Sequence, residues 1–241
     1  AGRLPDPEVI VEAVVAALTP TPRPLEGKRV VVSAGPTREH LDPVRFLSNP
    51  SSGRTGYAVA EAAAAAGAQV SLVSGPVALA APPGVDRVSV TSARDMHRAV
   101  LAAADGADAV VMTAAVADWR PAEVSAQKEA KQAGPRTVTF VRNPDILAEL
   151  GARRAAAGAG PILVGFAAQT GDPREAARGK LSRKQVDLVV ANDVTAPGAG
   201  FESPTNQVFF VTGDGVEGLP MMPKTELADR VVGWIADRMG A

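Results

Sequence analysis

The sequence predicts an α/β protein with a mostly parallel sheet and helices on both faces, and three observations predict it. Short, near-continuous Val/Ile/Leu runs recur along the chain, helix-forming segments rich in alanine separate them, and small or polar residues follow the apolar runs directly. Parallel strands are covered on both faces, so they read as unbroken apolar runs rather than as alternation, and ligands gather at their carboxyl ends. With 46% apolar residues in 241, the chain suits one large domain that buries roughly 70% of its unfolded surface.

The elements follow in order. Val9, Ile10, Val11, Val14, Val15 and Leu18 space a short first helix, which the prolines at 20, 22 and 24 break. Residues 1–26 are therefore read as a helix and Pro-rich linker, and 27–241 as the folded domain. Val30-Val-Val makes 29–33 a strand, the alanines make 54–66 a helix, and the Val/Leu content of 69–73 and 87–90 makes strands. Residues 93–104 read as helical, and Ala109-Val-Val-Met is a buried strand over 109–112. Asn143 as cap and Pro144 as first helical residue open a helix over 144–150. Strands at 162–166 and 188–191 flank a helix over 174–184, and an amphipathic helix over 224–239 closes the chain. Two segments break the alternation: 124–142, with Val138-Thr-Phe, and 207–220, with Val208-Phe-Phe-Val before Gly213 and Gly215, read as hairpins that form a flap or an interface.

Composition narrows the chemistry. Lys and Arg number 25 against 26 Asp and Glu, so no net field attracts a polyanion and nucleic acid is not expected as a partner. No apolar run reaches the roughly 18 residues of a membrane span, and the expectation is a soluble, cytoplasmic protein. The chain has no cysteine and only His40 and His97, which excludes thiolate sites and leaves little for a histidine metal site or a serine triad. Amides, lysines and carboxylates must carry the chemistry.

The stretch Ser48-Asn-Pro-Ser-Ser-Gly-Arg-Thr-Gly leads into a helix. Backbone N–H groups of Ser51, Ser52 and Gly53 at a helix start favour phosphate, Gly53 and Gly56 admit close approach, and Asn49 adds an amide; a simple helix cap explains the same residues. G-x-G-x-x-G and G-x-x-x-x-G-K-[ST] are both missing. After the strand ending at Met112, Ala114 and Ala115 leave space for a base or sugar, and Asp118 is placed to bond a ribose or hold a metal; a packed crossover with Asp118 paired to Arg120 is the alternative. Lys128 and Lys131 lie in a polar stretch suited to a flap over a triphosphate, or simply to solvent. Phe166 is a candidate wall for a base or a core aromatic. Lys180, Arg183 and Lys184 crowd one helix face, where an anion would relieve their repulsion and a helix C-terminus suits cations equally. Asn192 and Asp193 end a strand at the ligand edge.

Taken in order, Ser48-Asn-Pro-Ser-Ser-Gly, Ala114-Ala-Val-Ala-Asp-Trp-Arg-Pro, Lys128, Asn143-Pro-Asp-Ile, Gly165-Phe-Ala-Ala-Gln-Thr, Lys180 to Lys184 and Ala191-Asn-Asp-Val resemble the phosphopantothenoylcysteine synthetase family, over about 27–238. The resemblance is to its bacterial, CTP-dependent branch, usually fused behind a flavin-dependent decarboxylase. The fold it implies is Rossmann-like, and the partners are CTP, 4'-phosphopantothenate and L-cysteine, with Mg²⁺ accompanying the nucleotide and FMN confined to the decarboxylase domain. Residues 1–26 would then be the junction to that domain. The implied reaction passes through an acyl-cytidylate in a homodimer. By position, Asn49 matches the family's asparagine at the acyl intermediate and Lys128 its flap lysine, while Ala114, Ala115, Asp118, Pro144, Asp145, Ile146, Leu147, Phe166, Lys180 and Lys184 match CTP-binding positions. Two departures stand out: Arg54 replaces the family's lysine after Ser-Ser-Gly, and its lysine cluster is thinned to Lys128-Glu-Ala-Lys131. An NAD(P)-dependent reductase, for which the glycine fingerprint is missing, and a non-catalytic nucleotide-binding module are the rival readings.

Overall fold

A computed structural model of the chain describes residues 6, 7, 11, 22–130, 134–193, 195 and 203–240. The helix expected over 9–18, apart from Val11, and Lys131 lie outside the described residues. The elements run β1 (Arg29–Ala34), β2 (Arg38–His40), β3 (Phe46–Ser48), α1 (Arg54–Ala65), β4 (Gln69–Ser74), β5 (Val85–Ser89), α2 (Ala93–Ala104), β6 (Ala109–Met112), β7 (Trp119–Pro121) and β8 (Phe140–Arg142). There follow α3 (Ile146–Ala157), β9 (Ile162–Gln169), α4 (Arg174–Lys184), β10 (Leu188–Asp193), β11 (Thr205–Asn206), β12 (Val208–Val211), β13 (Val216–Gly218), β14 (Met222–Pro223) and α5 (Lys224–Arg238).

One eight-stranded sheet has the order β13-β12-β10-β9-β6-β1-β4-β5, parallel from β5 to β10. The chain first winds outward from β1 through β4 to β5, then returns to the other side of β1 at β6. Strand order therefore reverses between β1 and β6, where the loops at the carboxyl ends diverge and leave a crevice. Alternation along β1 sends Val30 and Val32 to one core, under α1 and α5, and Val31 to the other, with Met96 of α2, Leu147 and Leu150 of α3 and Ala177 of α4. These valines are at most 2% exposed, as a strand covered on both faces requires.

Several expectations change. The segment 207–220 does form a hairpin, but β12 pairs antiparallel with β10 and extends the main sheet instead of standing off it as a flap. Among the described residues of 124–142 no two strands pair with each other; β8, at their end, pairs with β7, which precedes them. The long connection after β1 carries a further ladder, β2 with β3. Its turn is held by buried Asp42, which accepts from the amides of Val44 and Arg45, both at 2.9 Å, and from the Arg45 guanidinium. Helix α3 starts at Ile146, and Asp145, not Asn143, caps it by accepting from the Ala148 amide at 3.1 Å. It also continues past Gly151 to Ala157. That glycine is where α3 meets the end of α4: a Cβ there would lie 1.9 Å from the Lys184 carbonyl oxygen.

Candidate active site

The crevice at the strand-order reversal is fastened from both sides. Pro36 and Ala115 form a parallel bridge, the Thr113 hydroxyl donates to the Ser33 carbonyl at 2.6 Å, and the Ala117 amide donates to the Thr37 hydroxyl at 3.0 Å. The loops after β1 and β6 are thus one rigid floor. Over it open two adjoining cavities of about 400 and 290 Å³, which share Ala114, Val116 and Phe166 as a common wall.

The larger cavity gathers Asp118, Pro144, Asp145, Ile146, Leu147, Lys180 and Lys184 with Ala114 and Phe166. Small size matters at Gly165, where a Cβ would lie 2.4 Å from Leu147 Cδ2. Removing that side chain lets Leu147 back the wall on which a planar ring can lie. Lys180 Nζ donates to the Phe166 carbonyl at 2.7 Å, and burial, assisted by the nearby Lys184 charge, lowers its pKa from 10.5 to about 8. Lys184 Nζ pairs with Asp145 at 2.9 Å. Burial raises the Asp145 pKa, but the Lys184 hydrogen bond and the Ala148 amide outweigh it and hold the group below its ordinary value. The basic triplet divides: Lys180 and Lys184 face the cavity, whereas Arg183 is exposed and lies outside it. In place of the alternative pairing of Asp118 with Arg120, Arg120 donates to Asn143 Oδ1 at 3.1 Å, with Asn143 Nδ2 donating to the Ala117 carbonyl at 2.8 Å. Asp118 is thereby left exposed at the cavity, one carboxylate on its rim.

The smaller cavity is formed by Asn49, Ser51, Ser52, Gly53 and Gly56, with Ala115 and Asn192. Gly53, at φ 76°, is the N-cap of α1, a left-handed conformation that suits glycine. Its amide donates to Ser51 Oγ at 3.3 Å, and no side chain caps the helix. Gly56 borders the cavity and also serves packing: a Cβ there would meet Thr113 Oγ1 at 2.4 Å and Ala34 Cβ at 2.6 Å, so the missing side chain lets α1 approach β1 and β6. Asn49 Nδ2 donates to the Val116 carbonyl at 3.3 Å and so ties the loop to the shared wall.

Two expected residues stand apart. Asp193 lines neither cavity; its carboxylate accepts from Thr195 and from the Gly171 amide, and the Thr195 hydroxyl foremost holds its pKa low. Lys128 is exposed and borders a separate depression with Arg45 and Glu129. Sequence reasoning missed Trp119 and Arg142, which stack with the Arg142 guanidinium carbon 5.4 Å from the ring centre, and it missed Asn206 and Lys224 in the smaller cavity. Trp119 directly follows Asp118 and was within reach of the motif; Asn206 and Lys224 carried no local signal.

Among the described residues no group of three or more His, Cys, Asp or Glu is placed to hold a metal ion. Of the two carboxylates at the larger cavity Asp145 is paired with Lys184, and Asp118 fits a Mg²⁺ that arrives with a nucleotide, because that ion takes one or two carboxylates together with substrate phosphates. No helix among the described residues is long and apolar enough to cross a membrane.

Comparison with known proteins gives consistent matches. Residues 25–239 match the model of the DNA/pantothenate metabolism flavoprotein C-terminal domain. The coenzyme A biosynthesis bifunctional protein CoaBC of Bacillus subtilis is 48% identical over 239 residues, covering 98% of this chain and 58% of that protein. Its counterpart in Escherichia coli is 44% identical over 240 residues, with the same two coverages, 98% and 58%. The chain thus spans a little over half the length of these relatives. A solved C-terminal domain of a coenzyme A biosynthesis bifunctional protein CoaBC superposes with a TM-score of 0.76 at 40% identity, covering 90% of this chain and 98% of that one. The chain belongs to the DNA/pantothenate metabolism flavoprotein C-terminal domain family.

Proposed function

We propose that the chain is a ligase of coenzyme A biosynthesis that joins 4'-phosphopantothenate and L-cysteine at the expense of CTP. The observation that carries the reading is the pair of adjoining cavities, one with partly buried lysines for a nucleotide and one with a helix start that no side chain caps for a phosphorylated acid, meeting at Ala114, Val116 and Phe166. The names of the relatives support the pathway.

In the first step a carboxylate oxygen of the acid attacks the α-phosphorus of CTP, an O–P bond forms, and the bond to pyrophosphate breaks. Lys180 and Lys184 hold the triphosphate and offset charge that builds on its oxygens. Asn49, tethered at the shared wall, orients the acyl group. Asp118 would hold Mg²⁺, whose charge neutralises phosphate oxygens. In the second step the amino nitrogen of cysteine attacks the acyl carbon, a C–N bond forms, CMP leaves with its oxygen, and the ammonium loses a proton. An amine with an ordinary pKa of about 8 has a sizeable neutral fraction near neutral pH, so no strong base on the protein is needed.

Lys128 is assigned to the triphosphate as a flap residue, in a homodimer whose contacts include the exposed apolar side chains of β3, β7 and β8. Support for that surface comes from Phe46, Leu47, Trp119, Phe140 and Val141, each 36–46% exposed. Incubation with CTP, Mg²⁺, phosphopantothenate and cysteine, with mass detection of phosphopantothenoylcysteine and CMP, tests the reading. CTP binding with no product would reduce the chain to a nucleotide-binding module.

A further inference from the structure

Two polar side chains of the smaller cavity, Asn206 and Lys224, come from elements far in sequence from the Ser51–Gly53 loop. The β11–β14 ladder pairs Asn206 with Met222, and the Lys224 amide donates to the Pro204 carbonyl at 3.1 Å. That short ladder carries Asn206 and the first residue of α5 into the cavity formed by Ser51, Ser52 and Gly53. Each of the two side chains is only 6% exposed. The Asn206 carboxamide oxygen is buried with no hydrogen-bond partner, an arrangement that native proteins rarely keep without a reason.

Charge placement points the same way. Helix α1 begins with Arg54 and has no acidic residue in its first turn, and α5 begins with Lys224; both residues line this cavity. Cations at helix N-termini oppose the helix dipole, and here two of them sit by one cavity, one of them buried. Burial, with the Arg54 charge, lowers the Lys224 pKa. An anion between the two helix starts offsets the opposition of both cations to the helix dipoles and lies beside an α1 start that no side chain caps.

We infer that Lys224 and Asn206 form the specificity-determining end of the acid site, with Lys224 binding the phosphomonoester and Asn206 bonding a neighbouring hydroxyl or amide of the same molecule. The inference rests on the proposed ligase reading for the identity of that acid. It assigns the triphosphate to the other cavity, so the two anions are distinguished by which lysines they meet.

The test compares Lys224→Gln, Lys224→Arg and Asn206→Leu in the whole chain, by calorimetric binding of 4'-phosphopantothenate, pantothenate and CTP and by steady-state ligation. Lys224→Gln is expected to weaken phosphopantothenate binding by about tenfold or more, to leave CTP and pantothenate unchanged, and to be partly rescued by Lys224→Arg. Asn206→Leu should raise KM for the acid with little change in kcat while its thermal midpoint holds or rises, since an apolar replacement removes an unmet buried acceptor. A purely structural role predicts lost stability with unchanged affinity, and that result overturns the inference, as does a loss of CTP affinity in Lys224→Gln. Failure of the wild-type chain to make product, with selective phosphopantothenate binding retained and lost in Lys224→Gln, would sink the ligase reading and leave this one standing.

Discussion

Lys180 is a cation that the fold holds in a partly buried place, which makes its behaviour depend on pH. In the free protein it loses its proton near pH 8, against 10.5 for an ordinary lysine. Below about 8 both folded and unfolded chains carry the charge and the folded state bears the full cost of burying it; that cost disappears as pH rises from about 8 towards 10.5, so this residue favours folding at the alkaline end. Binding has the opposite sign, because a triphosphate needs the charged form. CTP affinity is expected to fall as pH passes 8, and binding near that pH to take up a proton, which calorimetry in buffers of different ionisation enthalpy measures; affinity flat from pH 7 to 9.5 would contradict the assignment. At Lys128 the expectation is kinetic. Lys128→Gln should slow pyrophosphate release in a single turnover on the order of a hundredfold without lowering the thermal midpoint, since an exposed side chain contributes little to folding.

Gly151 shows how an element boundary is set by its neighbour. Read along the chain, a glycine seven residues after Pro144 looks like the end of a helix; in the structure α3 passes through it because the end of α4 lies against it. Gly151→Ala puts a methyl group into the Lys184 carbonyl, and a loss of about 1–3 kcal/mol in urea unfolding is expected, together with weaker CTP binding through displacement of Lys184. An unchanged midpoint would mean the two helices part without cost. Helix α2 is secured more locally, by a capping box between Ser92 and Asp95 and by the buried Glu39 carboxylate, which accepts from the Ala93 amide at 2.8 Å. Ser92→Ala is expected to cost about 1 kcal/mol, measured by the same unfolding experiment.

For the whole molecule, the apolar surface on β3, β7 and β8 borders the larger cavity through Trp119, so assembly and nucleotide binding are expected to be linked. Phe46→Glu places a charge on that surface; sedimentation should show a dimer becoming a monomer while circular dichroism stays unchanged, and a variant that sediments as the wild type places the interface elsewhere. The parallel strands were legible because each is covered on both faces, and full coverage writes itself as an unbroken apolar run. The β2–β3 ladder was not, since its residues are mostly exposed and its turn depends on Asp42 meeting Arg45. That Ala114, Asp118, Pro144 to Leu147 and Phe166 gather at one cavity was legible through contiguous motifs at strand ends.

What the sequence by itself determined is the alternation of strand and helix, the switch-point loops at Asn49 and Ala114, and the family, because these reside in neighbours along the chain. The tertiary structure alone decided that Gly56 serves helix packing, that Asp193 is consumed by a turn, that Lys128 stands apart, and that Asn206 and Lys224 enter the smaller cavity. The reason is physical: a side chain's surroundings are fixed by which elements pack together, and the meeting of residues more than a hundred positions apart, such as Ser52 and Lys224 lining one cavity, leaves no trace in local pattern.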